Sequence, residues 1–204
     1  MDELNLNNIL NREEESKNIK SLLTIFEANK HDPLVKKGIY VYGSPGCGKT
    51  TFVMKILQEM DYDIIKYDAG DIRNKLVIDT ITKHNMSDKN IMSMFHKKIK
   101  KIVVVMDEID GMNNGDKGGI NTLIKLIRPK KTKKQKQEEM TMVPIICISN
   151  YHMDKKIKEL MKVCNLVELK VPTTMQIHTI ASHIMPDIDA KIIPHINEFV
   201  QNDL

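Results

Sequence analysis

The sequence has no tryptophan, and only 4% of its 204 residues are aromatic. Its core must therefore be assembled from isoleucine, leucine, valine and the 14 methionines, whose flexible thioethers fill irregular gaps. Cysteine is scarce as well. The three cysteines lie far apart, are odd in number and include no C-x-x-C pair, which excludes a disulfide framework and points to a reducing interior. The histidines are scattered, and His178 and His183 stand five positions apart, a spacing that does not share a helix face, so no metal cage is expected. No apolar run approaches the roughly 20 residues of a spanning helix, and Met1-Asp2-Glu3 is unlike a basic secretory leader. A large charge excess is missing too: 31 Lys+Arg against 27 Asp+Glu leave +4, too little for the global field to argue for nucleic acid. What remains is a one-domain length with 41% hydrophobic residues, enough for a sizeable core.

The most informative stretch is Gly43-Ser44-Pro45-Gly46-Cys47-Gly48-Lys49-Thr50. It follows the apolar run Ile39-Tyr40-Val41-Tyr42 and opens onto the helical pattern Thr51-Phe52-Val53-Met54-Lys55-Ile56-Leu57. This fits G-x-x-x-x-G-K-[ST] in the strand, loop, helix context of a phosphate-binding loop. Glycines permit positive φ and leave no Cβ between backbone and phosphate. The loop amides and the positive helix end face the anion, Lys49 reaches the terminal phosphates, and the Thr50 hydroxyl is placed to hold Mg²⁺. Binding of a nucleoside triphosphate through residues 43 to 51 follows. Cys47 reads as a tolerated small residue rather than a nucleophile.

Along the chain, apolar positions Ile19, Leu22, Leu23, Ile25 and Phe26 follow Glu13, Glu14 and Glu15, predicting a packing helix that ends before Pro33. Strands are predicted at 38–42, 64–68, 102–106, 144–148 and 166–169, with helices between them, so the sheet is expected to be parallel. The third strand delivers Asp107-Glu108 at its carboxyl end. Asp107 would hold Mg²⁺, and Glu108 would orient or deprotonate the attacking water. The fourth strand ends at Ser149-Asn150, where a polar side chain reaches toward a γ-phosphate or that water. An amphipathic helix is predicted over Ile120 to Ile127. Thr173-x-x-Gln176 is a capping box for a helix that stops before Pro186, and a further helix is expected over 192–200. Two readings stay open for the basic stretch 128–136: a solvated loop, or sequence-independent contact with a phosphate backbone. With no aromatic residue there, base stacking is not expected.

With these residues in view, the chain resembles the AAA+ ATPases, and among them the large subunits of the clamp loader replication factor C. The resemblance rests on Met106-Asp107-Glu108-Ile109-Asp110-Gly111-Met112, on Lys117-Gly118-Gly119-Ile120, and on Pro144-Ile145-Ile146-Cys147-Ile148-Ser149-Asn150. Asp68-Ala69-Gly70-Asp71-Ile72-Arg73-Asn74-Lys75 is also similar to that subunit's segment after strand two. It implies a P-loop α/β fold with a central five-stranded parallel sheet flanked by helices. It divides the chain into a nucleotide-binding domain at 1–172 and the start of a helical lid at 173–204. Lys49 and Thr50 become the Walker A pair, Asp107 and Glu108 the Walker B pair, and Asn150 the sensor. The family's small subunits carry Ser-Arg-Cys where Tyr151-His152-Met153 stands here, so this chain resembles the position that receives an arginine finger without offering one.

By that resemblance the chain is expected to bind and hydrolyse ATP with Mg²⁺, weakly when alone, and to load a sliding clamp at primer–template DNA within a hetero-oligomer of AAA+ subunits. Arg73, Asn74 and Lys117 are the implied DNA contacts. The setting is expected to be intracellular, in a nucleus or a viral replication compartment, without membrane. The second-sensor arginine of the family's lid is not found, so a fragment or a compact, viral version is expected. Another AAA+ remodeller (a helicase loader or checkpoint clamp loader) and a non-hydrolytic nucleotide-binding scaffold are the alternatives.

Overall fold

The computed structural model describes residues 6–68, 100–114, 117–136, 138, 140–151, 154–185, 195 and 199–200. Five strands form one sheet: β1 Gly38–Gly43, β2 Tyr62–Tyr67, β3 Lys101–Met106, β4 Ile145–Asn150 and β5 Cys164–Leu169. Their order across the sheet is β2-β3-β4-β1-β5, and every pairing is parallel. The expected architecture is thus present, with strand limits moved by up to two residues. β2 starts at Tyr62 rather than Ile64, a shift of two residues that is equalled at the end of β4 and the start of β5. It lies at the sheet edge and is only half-buried, so it lacks the continuous apolar run that marks β3 and β4.

Each central strand is apolar on both sides because helices cover both faces. Ile102, Val104 and Met106 of β3, with Ile145 and Cys147 of β4, meet Leu123 and Ile127 of the helix Lys117–Ile127 and Ile157 and Leu160 of the helix Lys155–Val163. The alternate residues Val103, Val105, Ile146 and Ile148 meet Ile19 and Leu23 of the helix Glu13–Ala28 and Val53, Ile56 and Leu57 of the helix Lys49–Glu59. Each such enclosed aliphatic side chain contributes about 1.5–3 kcal/mol relative to exposure. The helix Lys155–Val163 was not anticipated, although Asp154 caps it by accepting from Lys156 N at 2.6 Å. Thr173 and Gln176 form the expected capping box of the helix Thr174–Ile184, which ends before Pro186. That helix packs on the short helix Leu6–Ile9. Of the helix predicted over 192–200 only residues 195, 199 and 200 are described, each of them helical, and the contacts Arg73 and Asn74 lie outside the described residues.

Parallel strands share one carboxyl edge. In register, Gly43 sits beside Asn150 on one side and Leu169 on the other, and Met106 lies beside Cys147. The turns after β1 and β3 and the tip of β4 therefore open onto the same crevice, the usual place for ligands in open α/β sheets.

Candidate functional site

The loop after β1 is shaped by three glycines and held by one arginine. Gly46 and Gly48 have φ of 70° and 74°, left-handed conformations that place successive amides around a concavity. Gly43 answers a different need: a Cβ there would stand 2.3 Å from the Leu169 carbonyl oxygen of β5. Cys47, next to that contact, is buried, with Sγ 3.7 Å from the same carbonyl. Arg12, 5% exposed, donates from Nη2 to the Cys47 carbonyl at 2.7 Å and to the Lys170 carbonyl at 3.0 Å. Its guanidinium also lies 5.9 Å from the centre of the Phe52 ring. Burial lowers its pKa, yet an arginine remains charged at any ordinary pH. One side chain thus ties the amino-terminal segment, the loop and the end of β5 together.

Inside the crevice the helix Lys49–Glu59 begins with Lys49 and Thr50. Lys49 Nζ donates to Ser44 O at 2.7 Å, to Gly43 O at 3.3 Å and to Asn150 Oδ1 at 2.9 Å. Thr50 Oγ1 lies 2.9 Å and 3.2 Å from the two Asp107 carboxylate oxygens. Asp107 is buried and its backbone is pinned by donation from its N–H to Tyr67 O at 2.8 Å. Its side chain is further engaged by Lys66 of β2, whose Nζ is 3.0 Å from Oδ2 and 3.2 Å from Asp68 Oδ1. The hydrogen bond to Asp107 is the main reason that the Lys66 pKa is raised. Glu108 is exposed at the mouth, with a left-handed φ of 51° that an L side chain rarely adopts, so its orientation is set by a strained backbone. Asn150 bridges to the far wall by donating from Nδ2 to Asp110 Oδ2 at 3.3 Å, and Asp110 Oδ1 is buried without a hydrogen-bond partner.

These groups line a polar cleft of about 320 Å³ together with Pro45, Gly46, Gly48, Thr51 and Ser149. Its chemistry fits a magnesium-bound triphosphate: a loop of amides, an ammonium, and a hydroxyl and carboxylate close enough to share one hard cation. The orphaned Asp110 oxygen adds an acceptor on the wall opposite Lys49. A second cleft, of about 270 Å³ and mostly apolar, adjoins the first through Gly48 and Thr51 and is lined by Leu6, Leu10, Phe52, Ile180 and Ile184.

The structure therefore brings together Lys49, Thr50, Asp107 and Asn150, with Glu108 at the rim. Lys117 is the first residue of the helix Lys117–Ile127. Sequence reasoning passed over Arg12, Lys66 and Asp110 as parts of the site. Asp110 sat inside the recognised acidic motif, but Arg12 and Lys66 carry no local signal. Within the basic stretch 128–136 the cations are not all solvated: Lys130 is 2% exposed, and Arg128 pairs with Glu138 at 2.5 Å.

Residues 39–172 match the ATPase family associated with various cellular activities (AAA). The chain belongs to this family. Over most of its length this AAA ATPase is also similar to replication factor C large subunits. It is 28% identical over 188 residues to replication factor C subunit 1 of Saccharomyces cerevisiae, which covers 87% of this chain and 21% of that protein. The replication factor C large subunit of Methanococcus aeolicus is 29% identical over 175 residues, 83% of this chain and 33% of its own. Human replication factor C subunit 1 is 31% identical over 156 residues, 74% of this chain and 13% of its own. This AAA ATPase thus spans about a third or less of the length of these relatives.

Proposed function

We propose that the chain is an ATP-dependent clamp-loader subunit of the large-subunit type. It would bind and hydrolyse Mg²⁺·ATP to place a sliding clamp on primer–template DNA, together with other AAA+ subunits. The observation that carries this reading is the meeting of Lys49, Thr50, Asp107 and Asn150 on the shared carboxyl edge of β1, β3 and β4. The likeness to replication factor C large subunits supports the clamp-loading part. The setting we propose with it is intracellular, in a nucleus or a viral replication compartment.

In this reading the loop amides and Lys49 would hold the β- and γ-phosphates, and Thr50 and Asp107 would hold Mg²⁺, whose charge would offset that of the phosphates. Glu108 orients or deprotonates the attacking water from the mouth of the cleft. Asn150, hydrogen-bonded to both Lys49 and Asp110, reads the terminal phosphate and passes its presence to the wall formed by residues 109–114. The apolar cleft beside Gly48 receives the base, between Leu10 and Phe52 on one side and the helix Thr174–Ile184 on the other. We take 1–172 as the nucleotide domain and 173–204 as the start of the lid. Contact between that helix and the base would make lid position depend on nucleotide. Lys117 at the head of its helix remains the described candidate for DNA contact, with Arg73 and Asn74 beside it in the proposal.

The test combines binding and turnover. Lys49→Ala should abolish binding of a fluorescent ATP analogue. Glu108→Gln should keep binding and lose about 10²–10⁴ of the turnover seen with partners. The chain alone should hydrolyse slowly, because a finger arginine supplied by a neighbour is worth about 10³–10⁵ in rate. Brisk turnover without partners, or nucleotide binding that survives Lys49→Ala, overturns the reading. No stimulation by clamp, primed DNA and partner subunits would leave an ATPase but remove clamp loading.

A further inference from the structure

The fold sorts the cations of residues 128–136 into two sets. Arg128 and Lys130 turn toward Glu138, which accepts from Arg128 Nη2 at 2.5 Å, from Arg128 Nε at 3.2 Å and from Lys130 Nζ at 3.2 Å. Lys131, Lys133, Lys134 and Lys136 remain exposed. Their backbone is ordered by its own polar contacts: Gln135 N donates to Thr132 Oγ1 at 3.2 Å, while Lys131 N and Thr132 N donate to Gln135 Oε1 at 2.9 and 3.0 Å. Lys130 N donates to Pro33 O at 2.7 Å and fastens the turn to the segment that precedes β1. The four lysines thus form a fixed basic knob at the amino edge of the sheet, opposite the phosphate loop.

Four like charges within six residues repel one another, and Glu138, an acid nearby among the described residues, is already engaged by two cations. A partner with closely spaced negative charges relieves that repulsion. From 130 to 138 the sequence reads Lys-Lys-Thr-Lys-Lys-Gln-Lys-Gln-Glu, with nothing apolar to enter a bilayer and nothing aromatic to stack on a base. Lys133 and Lys136 stand three apart on one helical turn, a spacing that places both on one face. The geometry points to a binding site for the phosphate backbone of duplex DNA at Lys131, Lys133, Lys134 and Lys136, separate from the nucleotide site. The site rests on the reading that DNA is a partner, and it is independent of ATP.

The experiment measures binding of the full chain to a fluorescein-labelled DNA duplex by anisotropy over a series of salt concentrations. The wild type is compared with a variant carrying Gln at positions 131, 133, 134 and 136, and with Lys17→Gln as an exposed-charge control. The four-position variant should lose about 10- to 100-fold in affinity at low salt, and the slope of log K against log salt should shrink by about 2–4, close to 0.9 for each phosphate contact removed. Lys17→Gln should change little, and binding of an ATP analogue should be the same in all three. An unchanged slope in the four-position variant overturns the knob as a DNA site while leaving DNA as a partner. A wild-type chain that binds ATP but no duplex overturns both. Loss of binding to phosphatidylserine-containing vesicles, with duplex binding intact, would instead assign the knob to a membrane surface and overturn the proposal.

Discussion

Lys66 Nζ stands 3.0 Å from Asp107 Oδ2, the carboxylate oxygen that also lies 2.9 Å from Thr50 Oγ1. An ammonium and a hydroxyl from two different elements therefore share the oxygen proposed to serve Mg²⁺. Lys66 orients Asp107, but its positive charge also opposes a cation placed beside Thr50. Because the Lys66 side chain is 38% exposed, water screens that opposition to about 1 kcal/mol. Lys66→Met should accordingly lower the Mg²⁺ concentration that half-saturates nucleotide binding by about three- to tenfold. A magnesium titration of a bound fluorescent ATP analogue reads this directly, and a rise in the requirement would show that orientation of Asp107 outweighs repulsion.

Arg12 reaches two backbone carbonyls, of Cys47 and Lys170, from a buried position. Its removal leaves both acceptors unpaired in a place water does not easily reach. Arg12→Ala should destabilise the fold by about 2–4 kcal/mol, seen as a lower denaturant midpoint, and should weaken nucleotide binding because the Cys47 carbonyl belongs to the loop. Arg12→Lys should not restore either property, since a single ammonium cannot reproduce the planar two-carbonyl fork.

Gly43→Ala is expected to be among the most damaging single changes. The added carbon would sit 2.3 Å from a β5 backbone oxygen, which cannot rotate away as a side chain would. Relief requires parting β1 from β5 at the point where the loop begins. A loss of about 3 kcal/mol or more is expected in equilibrium unfolding, with nucleotide binding abolished. Gly43→Ala with near-normal stability would mean that the two strands have room to part.

The hydrogen bond from Arg128 is the chief cause that holds Glu138 below its ordinary pKa of 4.5, with Lys130 adding to it. A depressed carboxylate stabilises above its unfolded pKa and loses that contribution as pH falls through the folded value. The fastening of the basic knob should therefore be intact at neutral pH and fade below about pH 4.5. Glu138→Gln should remove that acid-sensitive part: the difference in denaturation midpoint between wild type and variant should shrink as pH is lowered. A difference constant across that range would show that the pairing carries no stability.

Much of the nucleotide site could be read directly because its parts are consecutive. Gly46, Gly48, Lys49 and Thr50 are neighbours in the chain, and their spacing fixes a turn and a helix start. Asp107 announces itself by ending the run Ile102 to Met106. The helix Lys155–Val163 was also legible in hindsight, since Asp154 precedes Ile157, Leu160 and Met161 at helical spacing. The five charged positions around them, Lys155, Lys156, Lys158, Glu159 and Lys162, masked it. β2 was misplaced because an edge strand needs apolar residues on one side only, so Tyr62 and Asp63 look like a turn.

By itself the sequence determined the phosphate loop, the acidic strand end and the alternation of strands with helices, because each depends on residues close together in the chain and on the periodicity of burial. Only the tertiary structure decided that Arg12 would grip the loop from 35 residues away, that Lys66 would share Asp107, and that Lys130 would be buried while Lys131 stayed in water. The reason is physical. A charged side chain carries no local record of its partner, and whether it is paired or solvated depends on which distant backbone and carboxyl oxygens the packed sheet brings to it.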